Sequence, residues 1–186
     1  MITGQLRVAD IPVTPWRNGG GTTQELVSWP PGDSRFDWRV SIATIASDGP
    51  FSAFPGVDRT LTLIGGDGIR LHGPDLDLLV DTLHAPVDFA GDLWLDCTLI
   101  GDRPCTALNV MSRRGHGRAE IEIVTGPWAS PGISHGLLLG LTGHWQVDSR
   151  RLTAGSGWWW AGPRREWRLQ PGTPADRIAV ISWEPE

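Results

Sequence analysis

Residues Pro15 to Leu26 read PWRNGGGTTQEL, with a Trp, an Arg and an Asn ahead of three glycines and a carboxylate at Glu25. Consecutive glycines adopt positive φ easily and let the backbone approach a ligand. In such a turn the N–H groups of Gly19 and Gly20 can form an anion-binding nest. Asn18 can donate and accept, and Trp16 offers a flat apolar wall. The competing reading is a tight turn with Trp16 packed in the core. A phosphate-binding P-loop is excluded, because its Lys is missing and the following segment reads as strand. Thr22 and Glu25 also have capping-box spacing, but Pro30-Pro31 leaves little room for a helix.

Arginines supply the second set of chemistry. FDWRVSIAT alternates strictly, with Phe36, Trp38, Val40 and Ile42 on one face and Asp37, Arg39 and Ser41 on the other. An Arg on an enclosed face must be paired or hydrogen-bonded. Arg39 can bridge permanently to Glu25, or it can clamp a ligand carboxylate with a bidentate fork. Arg59, in VDRT, has the same two options, with Asp58 as its local partner. Asn109, in ALNVM, reads as a turn residue or as a further polar group facing a ligand. The basic residues are all Arg, which removes Schiff-base chemistry and leaves planar recognition of carboxylate or phosphate.

Other chemistries lack their residues. No two of His72, His84, His116, His135 and His144 are separated by a single residue, so metal ligation lacks its usual spacing. No G-x-S-x-G elbow is present. Cys97 sits in an apolar strand without an evident base, and both Cys97 and Cys105 read as thiols rather than a disulfide. Net charge is −5 and no basic run exceeds two residues, which argues against nucleic acid. No apolar run is long enough for a membrane helix. The N-terminus lacks a signal-peptide pattern, so a cytoplasmic protein is expected. Eleven tryptophans include the run Trp158-Trp159-Trp160, which on a strand places rings on both faces. One face would pack in the core and the other would suit a partner, such as a second copy in a homodimer.

The elements that must position these groups are strands. Twenty-four glycines and fifteen prolines punctuate short apolar segments. Hairpins are expected at Gly65–Gly68 and around Thr142-Gly143, and a short helix near Ser112–Gly117 is a weaker option. A β-sandwich or barrel follows. The chain divides into 1–112 and 113–186, and the shorter second half borrows the chain's first strands to complete its sheet.

Four ordered motifs resemble the HutD/Ves family: PWRNGGGTTQEL; WRVSIATIASDGPFSAFPGVDRTLTLIGGDGIRL from Trp38 to Leu71; FAGD at Phe89–Asp92; and ALNVMSRRG at Ala107–Gly115. The resemblance implies an all-β double cupin (bicupin), two barrels of RmlC-like jelly-roll topology in one chain. It also implies a bacterial cytosolic protein associated with histidine utilisation. In a cupin the Arg39 face lines the lumen, where small ligands bind. Near the place of the later cupin His stand Arg165 and Glu166. The resulting expectation is a binder of a small carboxylate, such as urocanate or formylglutamate, without metal or other cofactor. Arg39 and Arg59 would hold the carboxylate, Trp16 would pack its apolar part, and Asn18, Gly19, Gly20, Ser41, Glu25 and Asn109 would complete the site. The alternatives are a cupin isomerase or hydrolase with Glu25 as general base, and an interaction protein with a Trp-rich surface.

Overall fold

The computed structural model describes residues 2–32 and 35–186, and they are nearly all strand and turn. In chain order the first strands are β1 (Ile2–Arg7), β2 (Thr14–Pro15), β3 (Gly21–Trp29), β4 (Trp38–Ile45), β5 (Gly49–Phe51), β6 (Val57–Gly65), β7 (Ile69–Gly73), β8 (Leu76–Val80), β9 (Pro86–Ala90), β10 (Leu95–Leu99) and β11 (Cys105–Arg113). They are followed by β12 (Gly117–Val124), β13 (Trp128–Ala129), β14 (Ile133–Thr142), β15 (His144–Val147), β16 (Arg150–Thr153), β17 (Ser156–Arg165), β18 (Arg168–Pro171) and β19 (Arg177–Pro185). The segment with capping-box spacing lies inside β3, and the helix option near Ser112 is the turn from β11 into β12. No helix among the described residues is long and apolar enough to cross a membrane.

The chain forms two compact units, Pro12–His116 and Met1–Ile11 with Gly117–Glu186. The boundary between the units' main segments lies between His116 and Gly117, and β1 pairs with β17 along Ile2–Arg7. The N-terminal unit has a six-stranded sheet, β2-β3-β4-β11-β6-β9, and a four-stranded sheet, β5-β10-β7-β8. The C-terminal unit has a five-stranded sheet, β1-β17-β14-β19-β12, and a four-stranded sheet, β13-β18-β15-β16. One plan occurs twice: β4-β11-β6-β9 with β5-β10-β7-β8, then β12-β19-β14-β17 with β13-β18-β15-β16.

The sheets do not close. Each unit is a pair of open-edged sheets rather than the expected barrel, because two facing sheets bury an apolar layer without a continuous ring of hydrogen bonds. In the N-terminal unit, Ile45, Leu61, Leu63 and Ala107 of the large sheet share a core with Ile69, Leu71, Leu95 and Cys97 of the small one. In the C-terminal unit, Leu138, Trp160, Ile178 and Val180 meet Trp145, Val147, Leu152 and Leu169.

The two expected hairpins are sheet-to-sheet corners. β6 pairs with β11 and β9, whereas β7 pairs with β10 and β8, so Gly65–Gly68 carries the chain from one sheet to the other. Gly66 takes φ 90° there, and a Cβ on it would press into Cys105 at 2.7 Å. Gly143, with φ 63°, makes the same move between β14 and β15. Both cysteines are buried free thiols. Burial, joined by the charges of Asp48 and Cys105, pushes Cys97 up to about 12.

Candidate functional site

The alternation of β4 sorts its residues as the strand period requires. Trp38, Val40 and Ile42 are buried on one face. Arg39, Ser41 and Ala43 line a cavity of about 60 Å³ on the other. Alternation breaks ahead of the strand: Phe36 packs with Val57 and Met111 rather than beside Trp38. Asp37 turns away to His116, its carboxylate 3.0 Å from Nδ1.

Neighbouring strands complete the wall. β3 contributes Thr23, β6 contributes Arg59, and β11 contributes Asn109 and Met111. The registers Arg59↔Met111 and Met111↔Arg39 set the two arginines on either side of one methionine. Trp16 reaches in from the loop before β3 and donates Nε1–H to Thr23 Oγ1 at 2.7 Å. Gly21 makes room for that ring, since a Cβ there would meet it at 3.0 Å and collide with Thr44 O.

Arg59 is the unusual group. It is 4 % exposed, with its guanidinium 4.6 Å from the Phe51 centroid and 5.1 Å from those of Phe54 and Phe89. Nη1 donates to Ser52 O at 2.8 Å, while buried Nε has no acceptor. It forms no ion pair among the described residues. Burial, with the positive charge of Arg39 adding to it, pushes Arg59 down to about 9, so it remains charged at neutral pH. The local pair with Asp58 does not form: Asp58 points to the opposite face and meets Arg114 at 3.3 Å. Asn109 is 5 % exposed and its Oδ1 also lacks a donor.

Arg39 has the partner its sequence context allows. Its Nε donates to Glu25 Oε2 at 2.7 Å, and the Glu25 side chain is 49 % exposed. Glu25 does not line the cavity. The charged side chains lining the cavity are Arg59 and Arg39; Glu25, from outside it, pairs with Arg39, which leaves one uncompensated positive charge.

The glycine turn does something other than the expected nest. Gly19 N–H donates to Trp16 O at 3.0 Å, and Gly20 N–H donates to Asn18 Oδ1 at 3.0 Å. Both donors are spent inside the turn, which holds Trp16 in place. Asn18, Arg17 and Trp16 line a wider hollow of about 720 Å³, with Pro50, Trp94 and Asp96 among its other walls. Trp16, Phe51 and Ser52 border both spaces. Among the described residues no three His, Cys, Asp or Glu side chains gather as a metal-binding set. His72 instead sits 3.1 Å from Thr98 Oγ1.

The residues that sequence reasoning missed are the phenylalanines around Arg59. Their signal was present: GPFS, FPGVDR and FAGD supply Phe51, Phe54 and Phe89 in turn. Gly91, in FAGD, belongs to the same cage, since a Cβ on it would lie 3.2 Å from Arg59 Cδ. Trp160 is buried, Trp158 and Trp159 are half-buried, and Trp94, at 82 % exposure, is the one fully exposed tryptophan among the described residues.

Strand order and site together define an all-β, cupin-like protein with a cationic internal cavity. The likeness of fold extends to the Lactobacillus farciminis oxalate decarboxylase formate complex, with TM-score 0.61 at 9 % identity over 96 % of this chain and 85 % of that one. The HutD family model matches residues 8–176, and the chain belongs to the HutD family. Protein Ves of Citrobacter koseri is 34 % identical over 178 residues, covering 96 % of this chain and 93 % of that protein. The structure of HutD from Pseudomonas fluorescens SBW25, in a formate condition, superposes with TM-score 0.86 at 26 % identity over the whole of both chains.

Proposed function

We propose that the N-terminal unit binds the carboxylate head of a small organic acid, with Arg59 as its counter-ion. The observation that carries this reading is a guanidinium buried among three phenyl rings with no carboxylate beside it. A buried charge of this kind costs several kcal/mol unless a partner compensates it. The cavity of about 60 Å³ has the volume of roughly two waters, which suits a carboxylate group and little else. Its single uncompensated positive charge matches one carboxylate group. On this reading Asn109 and Ser41 supply hydrogen bonds to the head group. The body of the acid extends past Trp16 into the wider hollow.

Urocanate and formylglutamate are the leading ligands, and formate is the minimal one. Formate accords with the formate condition of the Pseudomonas fluorescens relative. Family membership supports a binder that tunes histidine utilisation, and the twice-repeated strand plan supports a reading as two cupin folds. The alternative with Glu25 as general base has less support, since Glu25 is engaged by Arg39 and lies outside the cavity.

The test is a thermal-shift and calorimetric panel of formate, urocanate, formylglutamate, glutamate and histidine, each with and without a chelator. An acid at about one hundred times its dissociation constant adds roughly 2.7 kcal/mol of stability. The expected result is a chelator-insensitive shift with at least one acid, lost in Arg59→Met. No shift with any acid removes the proposal.

A further inference from the structure

The C-terminal unit holds a second recess, of about 380 Å³, which the carboxylate reading does not use. Its volume falls within the range of small-molecule sites, roughly 300–1,000 Å³. Gln5 of β1, Arg150 at the start of β16, Trp158 of β17, Arg165 at the end of β17, and Trp167 line it. The indoles of Trp158 and Trp167 are stacked, with centroids 6.0 Å apart and 26° between planes. Each carries an arginine: Arg165 lies 3.8 Å from the Trp167 centroid, and Arg150 lies 5.9 Å from that of Trp158.

Stacking occupies the face of a guanidinium and leaves its in-plane N–H groups free. Neither arginine forms an ion pair among the described residues. Asp148, two residues before Arg150, is the carboxylate on the lining of the recess, and its Oδ1 accepts from the backbone N–H of Arg168 at 3.1 Å. The Gln5 amide and the Ser149 hydroxyl add neutral hydrogen-bonding groups. The charged lining is two guanidiniums against one carboxylate. A planar fork held by its own stack recognises an oxyanion bidentately.

We infer that this recess is a second ligand site, taking a small polar molecule with a carboxylate or phosphate group held by Arg150 and Arg165. The indole faces of Trp158 and Trp167 are engaged by each other and by the two arginines, so the ligand meets guanidinium edges and polar side chains there. That separates it from a carbohydrate platform and from the phenyl-lined cavity of the N-terminal unit.

The tryptophans themselves report which site fills. With ¹⁵N-labelled Trp in the full chain, indole N–H signals are assigned by single Trp→Phe variants and followed during titration. The probes are inorganic phosphate, glycerol 3-phosphate and succinate. Filling of this recess moves the Trp158 and Trp167 signals saturably, whereas filling of the N-terminal cavity moves Trp16. Phosphate probes acting without succinate identify a phosphate site, and the converse identifies a carboxylate site. In Arg165→Gln, on a partly exposed side chain, the Trp158 and Trp167 response should weaken about tenfold with the melting temperature kept. No movement of those signals at millimolar probe overturns the inference. So does an unchanged response in both Arg165→Gln and Arg150→Gln.

Discussion

The two units use one strand plan and fill their interiors in opposite ways. In the N-terminal unit, β6 directs Arg59 inward, opposite Phe89 of β9. On β14, the strand with the same place in the other plan, Gly136 stands opposite Trp160 of β17. The Trp160 ring lies where a Gly136 side chain would begin, 2.6 Å from that position. Trp145, Trp160 and Trp167 then plug the C-terminal interior. One interior keeps a small hole lined with polar groups, and the other is closed with indoles. An internal binding site here is a matter of which side chains point inward, not of how the strands are ordered. The C-terminal recess accordingly lies at the edge of its plug, where Trp167 borders both core and cavity.

This contrast can be broken from either side. The largest effect is expected at the plug. Trp160→Ala removes a fully packed indole and the hydrogen bond from its Nε1 to Ile133 O, and should cost about 3–5 kcal/mol in denaturant unfolding. A cost under about 1 kcal/mol would mean that the plug is not what fills the C-terminal interior.

Arg59→Met comes next, and it should separate stability from binding. Carboxylate affinity falls about a hundredfold or more, because the counter-ion is gone. The unliganded protein should be unchanged or about 1 kcal/mol more stable, since an uncompensated buried charge is replaced by an apolar chain. Arg39→Ala provides the control within the same cavity. Its guanidinium is already paired with Glu25, so its loss should weaken binding less than the loss of Arg59. Equal effects would make the two arginines a joint clamp.

The charge state of Arg59 gives a pH signature. Its folded value of about 9 lies well below the ordinary arginine value, so between the two the unfolded chain holds the extra proton. The contribution of Arg59 to stability is therefore unfavourable below about 9 and is relieved as pH rises through it. Carboxylate affinity should be level across neutral pH and fall above about 9, as measured by calorimetry. An affinity that falls around pH 6–7 would point to a histidine as the responsible group instead.

A smaller effect is expected at Gly21→Ala. The added methyl presses on Thr44 O and the Trp16 ring, so about 1–3 kcal/mol of stability should be lost. Binding should weaken as well if Trp16 is a wall of the carboxylate site, which titration of the variant would show.

Much of the site could be read from strand period alone. Strict alternation in FDWRVSIAT separates Arg39 and Ser41 from Trp38, Val40 and Ile42, and β4 keeps that separation. The same rule failed at Phe36 and Asp37, which precede the strand and so escape its pleat. Arg59 was identifiable as an arginine on an apolar strand, but its isolation was not. Whether Asp58 reaches it depends on which face each residue takes, and neighbouring strand residues take opposite faces. Gly19 and Gly20 were identifiable as a turn, yet the destination of their N–H groups required the Asn18 rotamer and the path of the chain.

The sequence by itself determined the all-β class, the faces of its alternating strands, the family motifs and the placement of the corners. Each of these depends on short-range constraints: side-chain period, glycine freedom and local spacing. The tertiary structure alone decided that Gly65–Gly68 and Gly143 carry the chain between sheets rather than turning hairpins. It alone gathered Phe51, Phe54 and Phe89 around Arg59, and fixed β17 as the particular partner of β1. Those outcomes depend on which distant strands share hydrogen bonds and which sheets share a core, and local pattern carries no information about pairing partners.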